Sequence, residues 1–235
     1  RAGNENLGCK EFRYCRTYDL YREKKVKELF ASGLDKLGIP FTARQIDTLV
    51  KFYGELSVWN RKSGFIKAEG KDLVIRHFFD SLAGVRLLSG MDFKTAADIG
   101  TGAGFPGIPL SIFFPDKRFT LVERSAKKTD FLNNCRALFS LDNVDIAESE
   151  LENISDKFDL VAFRAFRNFN EYYKKLFSIL AEDGSIFAYK GIKDNIEAEL
   201  DEAGIGVYKI HRVHVPFMTE ERHILIIKKA DLIPS

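Results

Sequence analysis

From about Phe93 onward, strand patterns and helix patterns alternate along the chain. The strand patterns lie at 95–100, 119–123, 144–149, 158–163 and 185–189, and helical segments lie between them near 125–140, 168–180 and 193–203. This alternation predicts a parallel sheet with helices on both faces. Two further strand patterns, at 207–215 and 223–229, are joined only by PFMTEER. That link is too short for a crossover helix, so the last two strands should be antiparallel neighbours in a mostly parallel, seven-stranded sheet.

Helical patterns precede the sheet. Apolar residues recur at helical spacing from Val26 to Leu37, and Thr42-Ala-Arg-Gln45 has the form of a capping box that opens a second helix. A third helix is predicted near 71–82. We therefore expect an extension over 1–25, a helical region over 26–92 and a sheet domain over 93–235, with Trp59 packing the helices onto the sheet.

Composition narrows the class of protein. Hydrophobic residues make up 45% of the chain and the formal net charge is only +2, although residues 44–76 lean basic. No apolar run approaches the length of a membrane span and no signal-peptide pattern is present, so we expect a cytoplasmic protein without a membrane segment. The cysteines at 9, 15 and 135 have no metal-ligand spacing, so no metal is predicted. The 21 phenylalanines should dominate the core.

A glycine-rich turn follows the first strand, in the segment ADIGTGAGFPGIPL at 97–110. A phosphate-binding P-loop would need a Gly-Lys-Ser/Thr ending. Residues 96–115 contain no Lys or Arg, so a P-loop is not predicted here. The segment 102–107 matches the dinucleotide fingerprint literally. However, Pro106 and Pro109 each remove an N–H group that a pyrophosphate would need, so NAD is disfavoured and stays an alternative.

S-adenosylmethionine suits this turn better because it carries no phosphate. Gly100, Gly102 and Gly104 have no Cβ and so permit the close approach of its sugar and methionyl parts. Glu123 ends the next strand, where a carboxylate can accept both ribose hydroxyls. The alternative, that the glycines only allow a tight turn, is weakened by this acid and by the terminal hairpin. A doubly wound sheet that ends in a hairpin is also the topology of class I, Rossmann-like methyltransferases, an analogy that raises the expectation.

The substrate should lie at the end of the fourth strand, where the chain contains Phe-Arg164-Ala-Phe166. This segment has no Asn/Asp-Pro-Pro motif for amino methylation and no cysteine nucleophile for pyrimidine C5. What remains is a nucleophile that needs no deprotonation, such as guanine N7, for which positioning is the main contribution. Arg164 would bind the guanine O6 edge or the cofactor carboxylate, or would form a structural salt bridge, and Phe166 would stack on the base.

Several motifs together closely resemble one family, the bacterial small-subunit rRNA guanine-N7 methyltransferases, also called glucose-inhibited division protein B. These motifs are DIGTGAGFPGIPL at 98–110, the triplet at 164–166, Trp59-Asn60, Arg76-His77 with Asp80-Ser81, and Arg222-His223. The resemblance covers roughly residues 26–229. It implies methylation of N7 of one guanine in the helix 18 loop of 16S rRNA.

The resemblance also implies positions for the cofactor. The family's cofactor contacts fall on Gly100, Phe105, Leu151, Glu152 and Arg164. Glu123 matches the acidic ribose position, and the backbone and acid at 151–152 would face the adenine. The family often has a small residue before this acid, where this chain has Leu151.

The expected partner is 16S rRNA or a small-subunit particle, bound by a monomer. The candidate RNA-binding residues are Arg61, Lys62, Arg76, His77, Lys190, Arg222 and His223. Alternatives stay open for some of them: Arg76 and Asp80 have the spacing of a surface pair on a helix, His77 and Asp80 of a core pair, and Lys190 is either a phosphate contact or simply solvated. A different function, an S-adenosylmethionine-sensing RNA-binding assembly factor with little turnover, would bind both ligands without methylating the RNA. A small-molecule methyltransferase would have no use for the basic region at 44–76.

Overall fold

A seven-stranded sheet forms the centre of the computed structural model, which describes residues 23–164 and 169–232. The strands are β1 (Thr95–Ile99), β2 (Arg118–Glu123), β3 (Val144–Glu148), β4 (Phe158–Arg164), β5 (Leu180–Lys190), β6 (Lys209–Val213) and β7 (Arg222–Lys228). Their order is β3-β2-β1-β4-β5-β7-β6, with β1 to β5 parallel and β7 antiparallel to both neighbours. The predicted fold class and its terminal antiparallel hairpin are confirmed.

Helices cover both faces of the sheet. They are α1 (23–37), α2 (Ala43–Ser63), α3 (Gly70–Leu73), α4 (Asp80–Leu82), α5 (Val85–Leu88), α6 (Gly107–Phe113), α7 (Ala126–Phe139), α8 (Phe169–Ser178) and α9 (Lys193–Glu202), with short 3₁₀ turns at Leu151–Asn153 and Lys229–Leu232. Thr42 caps α2 in the predicted capping box, with Gln45 as its partner. The helix predicted near 71–82 is present, but its centre is a π-helical turn, Val74–Phe79, that joins α3 to α4.

The alternation of side chains along each strand divides the core between the two faces. In β4, Leu160 packs with α1, α2, α6 and α7, whereas Val161 and Phe163 pack on the opposite face with α8 and α9. The first core is rich in phenylalanine, as predicted. Its fully buried rings include Phe30, Phe52, Phe78, Phe79, Phe119, Phe131 and Phe187.

The N-terminal helices share this first core with the sheet. Trp59 of α2 lies 5.5 Å, between ring centroids, from Phe131 of α7, so it packs the helical region onto a helix that covers the sheet rather than onto a strand. The domain boundary at 92/93 stays a prediction. No helix in the described ranges is both long and apolar enough to cross a membrane. The predictions for Phe166 and for most of the extension at 1–25 lie outside the described residues.

Candidate active site

The glycine-rich turn between β1 and α6 has left-handed backbone where the sequence places glycine. Gly100 has φ +68° and Gly104 has φ +90°, values that side chains rarely tolerate. A Cβ on Gly104 would lie 2.6 Å from Ile108 Cδ1, so this glycine allows α6 to pack closely on the turn. A Cβ on Gly100 would meet nothing within 4 Å, because Gly100 faces an open cavity.

A buried carboxylate stabilises the glycine-rich turn through hydrogen bonds. Asp98 is 1% exposed, and its Oδ2 accepts hydrogen bonds from Thr101 Oγ1 at 2.6 Å and from the Gly107 amide at 2.7 Å. Its Oδ1 is buried without a hydrogen-bond partner among the described residues. Burial raises the pKa of Asp98 to about 6, although its two hydrogen bonds and Arg164 act in the opposite direction. No role for Asp98 is predicted from the sequence, although an acid inside an otherwise apolar strand is a signal of one.

The first cavity has a volume of about 390 Å³ and lies beyond the carboxyl ends of β1 to β4. Open α/β sheets bind ligands at this edge, where the strand order reverses between β1 and β4. Five of the predicted cofactor residues line it: Gly100, Glu123, Leu151, Glu152 and Arg164. The other lining residues, which sequence analysis did not name, include Arg124, Lys128, Ser149, Glu150 and Tyr172.

Glu123 is held rigidly at the wall of the first cavity. Its Oε2 accepts the Gly102 amide at 3.0 Å and its Oε1 accepts the Ser125 amide at 3.0 Å, while Lys128 Nζ lies 3.6 Å from Oε2. A carboxylate has about four lone-pair positions, so each oxygen keeps the capacity to accept a further hydrogen bond. The arrangement is suited to a pair of neighbouring hydroxyl groups.

Three predicted cofactor contacts do not line the first cavity. The Gly102 amide orients Glu123, and Gly104 packs against α6. Phe105 is 4% exposed, and its ring lies 5.2 Å from Phe52 and 5.0 Å from Phe78, between centroids, in the core beneath the turn. Direct cofactor contacts of these three residues stay predictions. In the structure, each of them supports the glycine-rich turn or the wall of the first cavity.

The second cavity, of about 450 Å³, opens at the same edge of the sheet, beside β4, β5, β6 and β7. Five of the seven predicted RNA-binding residues line it: Arg76, His77, Lys190, Arg222 and His223. Sequence alone did not indicate that these residues, up to 147 positions apart, share one cavity. The remaining two, Arg61 and Lys62, are exposed in the last turn of α2 and line neither cavity.

Arg164, at the end of β4, is part of the wall of both cavities. Its Nη1 donates to the Arg76 carbonyl at 2.9 Å and to Asp80 Oδ2 at 3.1 Å, and its Nη2 donates to His77 Nδ1 at 2.6 Å. The guanidinium carbon lies 5.4 Å from the centroid of the Phe105 ring. The structural salt bridge considered from the sequence therefore exists, and it fixes Arg164 between the two cavities.

Asp80 is buried and binds two arginines, because Arg222 Nε also donates to its Oδ1 at 3.1 Å. The pairs suggested by local spacing are therefore wrong. Arg76 pairs with Glu220 at 2.8 Å instead of Asp80, and His77 contacts Arg164 instead of Asp80. The π-helical turn contributes to this outcome, since the Asp80 amide donates to the carbonyl of Ile75, five residues earlier, and the ordinary helical spacing is lost.

The two histidines of the second cavity carry a ring proton on different nitrogens. An arginine can only donate, so His77 Nδ1 accepts from Arg164 and the ring proton lies on Nε2. Burial, with help from Arg164 and Arg76, lowers the pKa of His77 to about 3 and keeps the ring neutral. His223 Nδ1 donates to the Gly191 carbonyl at 2.6 Å, so its neutral form has a lone pair on Nε2.

Lys190 is not a solvated lysine. Its ammonium pairs with Glu199 of α9, and its side chain is largely buried. In residues 23–164 and 169–232, no group of three or more His, Cys, Asp or Glu side chains could hold a metal ion.

Comparison with known proteins identifies the family. The family model described as "GidB: rRNA small subunit methyltransferase G" matches residues 45–225. The chain belongs to the rRNA small subunit methyltransferase G family. A "Ribosomal RNA small subunit methyltransferase G" of Francisella tularensis is 32% identical over 205 residues, which are 87% of this chain and 98% of the relative. The protein of the same name from Francisella philomiragia is 31% identical over the same shares.

Solved structures agree with this family at the level of the fold. A putative S-adenosyl-L-methionine-dependent methyltransferase from Methanococcus maripaludis superposes with a TM-score of 0.56 at 18% identity, over 78% of this chain and 94% of its own. A ribosomal protein L11 methylase from Lactobacillus delbrueckii gives 0.52 at 19% identity, over 63% and 77%. As a member of the rRNA small subunit methyltransferase G family with a class I fold, the chain is an S-adenosylmethionine-dependent rRNA methyltransferase.

Proposed function

We propose that this chain methylates N7 of one guanine in the helix 18 loop of 16S rRNA, with the cofactor in the first cavity and the base in the second. The observation that carries the proposal is the position of Arg164, which lies in the wall between the two cavities. A methyl group that is transferred from the cofactor in the first cavity to the base in the second therefore has to pass Arg164.

The first cavity fits S-adenosylmethionine. Gly100 opens onto it without a side chain, and Glu123 is held by two backbone amides with lone pairs left for the ribose hydroxyls. Leu151 is buried in the wall and supplies an apolar surface for the adenine, next to Glu152. When bound, S-adenosylmethionine supplies a methyl group on a positively charged sulfur, which is transferred by direct displacement.

The chemistry of the second cavity favours a nucleophile that carries no proton. Asp80 neutralises two arginines, which would lose their buried partner if it took up a proton, and His77 carries its ring proton on Nε2, so neither is suited to act as a general base. Guanine N7 attacks with an exposed lone pair, so its methylation needs no general base. The His77 Nε2–H group and the guanidinium of Arg164 are donors that suit the neighbouring O6 acceptor.

Of the side chains that line the second cavity, His223 keeps a lone pair that could remove a proton. If it acted as a base, the product would be methylated at a nitrogen that loses a proton, such as guanine N1 or N2. Product analysis therefore separates the proposal from this second chemistry.

The test is methylation of 16S rRNA, or of small subunits, that lack the mark. The RNA is incubated with the protein and labelled S-adenosylmethionine, and strand scission at N7-methylguanine is mapped by primer extension. We expect one new scission site in the helix 18 loop. Label incorporated without scission would refute N7 as the target atom, and binding of RNA and cofactor without incorporation would support an assembly factor.

A matched pair of variants tests the role of Arg164. Arg164→Lys keeps a positive charge but cannot reach three partners, whereas Arg118→Lys changes an arginine that is also paired with an aspartate, at the opposite end of the sheet. Only the first should impair methylation.

We also propose that the protein acts as a cytoplasmic monomer, which light scattering of the purified chain and fractionation would test.

A further inference from the structure

The loop between β6 and β7 carries an exposed phenylalanine in a strained conformation. Phe217 has φ +66° and is 42% exposed. Left-handed backbone at a bulky residue costs about 1–3 kcal/mol, and Phe217 still leaves 42% of its surface exposed. The surrounding structure therefore holds this ring at the surface at a cost.

The loop adjoins the second cavity. Its flanking residues, Val213 and Arg222, both line that cavity. Glu220, three residues after Phe217, binds Arg76 of the cavity wall at 2.8 Å. The exposed ring is thus attached to the rim of the cavity proposed for the target base.

Two lysines from other elements converge on the ring. Lys36 Nζ of α1 lies 5.6 Å, and Lys71 Nζ of α3 lies 5.1 Å, from its centroid. Neither ammonium is in an ion pair with any residue of the described ranges. The buried ring of Phe79, 6.1 Å away between centroids, supports Phe217 from the protein side.

An aromatic face beside two ammonium groups that form no ion pair within residues 23–164 and 169–232 matches the chemistry of a nucleotide. A base stacks on the ring, and its phosphate takes the ammonium groups that now lie over the ring. We propose that Phe217, Lys36 and Lys71 form a nucleotide platform that holds an rRNA nucleotide next to the one entering the second cavity. This inference rests on the proposed function for the location of the target base, but its test measures RNA binding and not methylation.

The test compares Phe217→Leu with Phe217→Trp. Leucine keeps the apolar contact with Phe79 but has no π face, whereas tryptophan keeps the face. Stacking on one aromatic side chain contributes about 1–3 kcal/mol per base, so Phe217→Leu should weaken binding of a 16S rRNA transcript by roughly 5- to 150-fold. Phe217→Trp should bind like the wild type. Leu138→Ala, which removes an exposed apolar side chain at the end of α7 distant from both cavities, is the control.

The kinetics of methylation and the salt dependence of RNA binding provide two further tests of the nucleotide platform. Phe217→Leu should raise the KM for RNA while kcat changes by less than about twofold, since saturating RNA restores the bound state. The double variant Lys36→Ala/Lys71→Ala should reduce the slope of log K against log salt by about 0.7, the value for the one phosphate that the two ammonium groups share on a single strand. Thermal unfolding of each variant separates a loss of binding from a loss of folding.

The outcomes distinguish this platform from the proposed function. Unchanged RNA affinity in Phe217→Leu would overturn the platform, even if the wild type makes N7-methylguanine. Methylation at another atom, with RNA affinity still dependent on Phe217, would refute the proposed function and leave the platform standing. Phe217-dependent binding to anionic vesicles without an effect on RNA would also overturn it.

Discussion

Replacement of Asp98 by asparagine should stabilise the protein at neutral and alkaline pH. The two hydrogen bonds that Asp98 accepts both fall on Oδ2, so an amide oxygen in that position preserves them. The amide NH₂ then takes the place of Oδ1, the buried oxygen without a partner among the described residues. Asparagine thus resembles the protonated form of the acid in being uncharged, with an NH₂ group in place of its O–H group.

The magnitude follows from the pKa of Asp98. In the unfolded chain this carboxyl ionises near its ordinary value of 3.8, whereas in the folded chain it keeps its proton to about pH 6. Between these values the folded state binds more protons, so stability decreases as the pH rises from about 4 to about 6 and stays lower above that range. The difference corresponds to about 3 kcal/mol.

The assay is urea unfolding of the wild type and Asp98→Asn across pH 4 to 8. At pH 8 the variant should gain up to about 3 kcal/mol in the free energy of unfolding, or up to about 6–12 °C in Tm for a chain of this size, and the gain should fade towards pH 4. Any buried N–H group of the amide that finds no acceptor lowers this gain. Asp98→Ala, which removes the charge but also the acceptor of both hydrogen bonds, should be less stable than Asp98→Asn at every pH. Asp116→Asn removes an exposed carboxylate whose pKa is lowered by Lys117, so it should give no gain. A destabilised Asp98→Asn at pH 8 would refute the reasoning.

The remaining predictions concern the site and its support. Glu123→Gln should weaken cofactor binding by roughly 10- to 100-fold in calorimetry, because both carboxylate oxygens accept backbone amides and an NH₂ group would oppose one of them; unchanged affinity would exclude Glu123 as a ribose acceptor. Arg164→Lys should lower kcat/KM by roughly 10- to 150-fold, since hydrogen bonds to charged groups are worth about 1.5–3 kcal/mol; a variant with wild-type turnover would contradict its role. Asp80→Ala should cost about 3 kcal/mol in urea unfolding because two arginines lose their buried partner. Gly107→Ala should lower the Tm by several degrees, because its Cβ would lie 2.1 Å from Leu121 Cδ2 and 2.8 Å from the oxygen of the Asp98 carboxylate that Gly107 binds.

The sheet was predictable from sequence because its signals are local. A strand buried on both faces requires a short apolar run, and the link PFMTEER is too short for anything but an antiparallel return. The first cavity was largely predictable for a related reason. In a parallel sheet, residues at the carboxyl ends of successive strands meet at one edge, so Gly100, Glu123 and Arg164 had to come together.

Pairings between distant segments were not predictable. Spacing of four residues indicated a pair of Arg76 with Asp80, but Asp80 binds Arg164 and Arg222, and Arg76 binds Glu220. Burial decides these partners, since a buried carboxylate needs the strongest donors within reach wherever they lie in the chain. The π-helical turn also changes which side chains share a face, and no sequence pattern used to predict helices signals it.

The position of Arg164 has a thermodynamic consequence for the order in which ligands act. One arginine side chain is part of both cavity walls and is hydrogen-bonded to Asp80 and His77, on the helical segment that lines the second cavity. A ligand in either cavity that changes the pose of this side chain changes the affinity of the other cavity by a factor that is the same in both directions. Under the proposed function we therefore expect the affinities for cofactor and RNA to be linked, and each should be measured with the other ligand both present and absent.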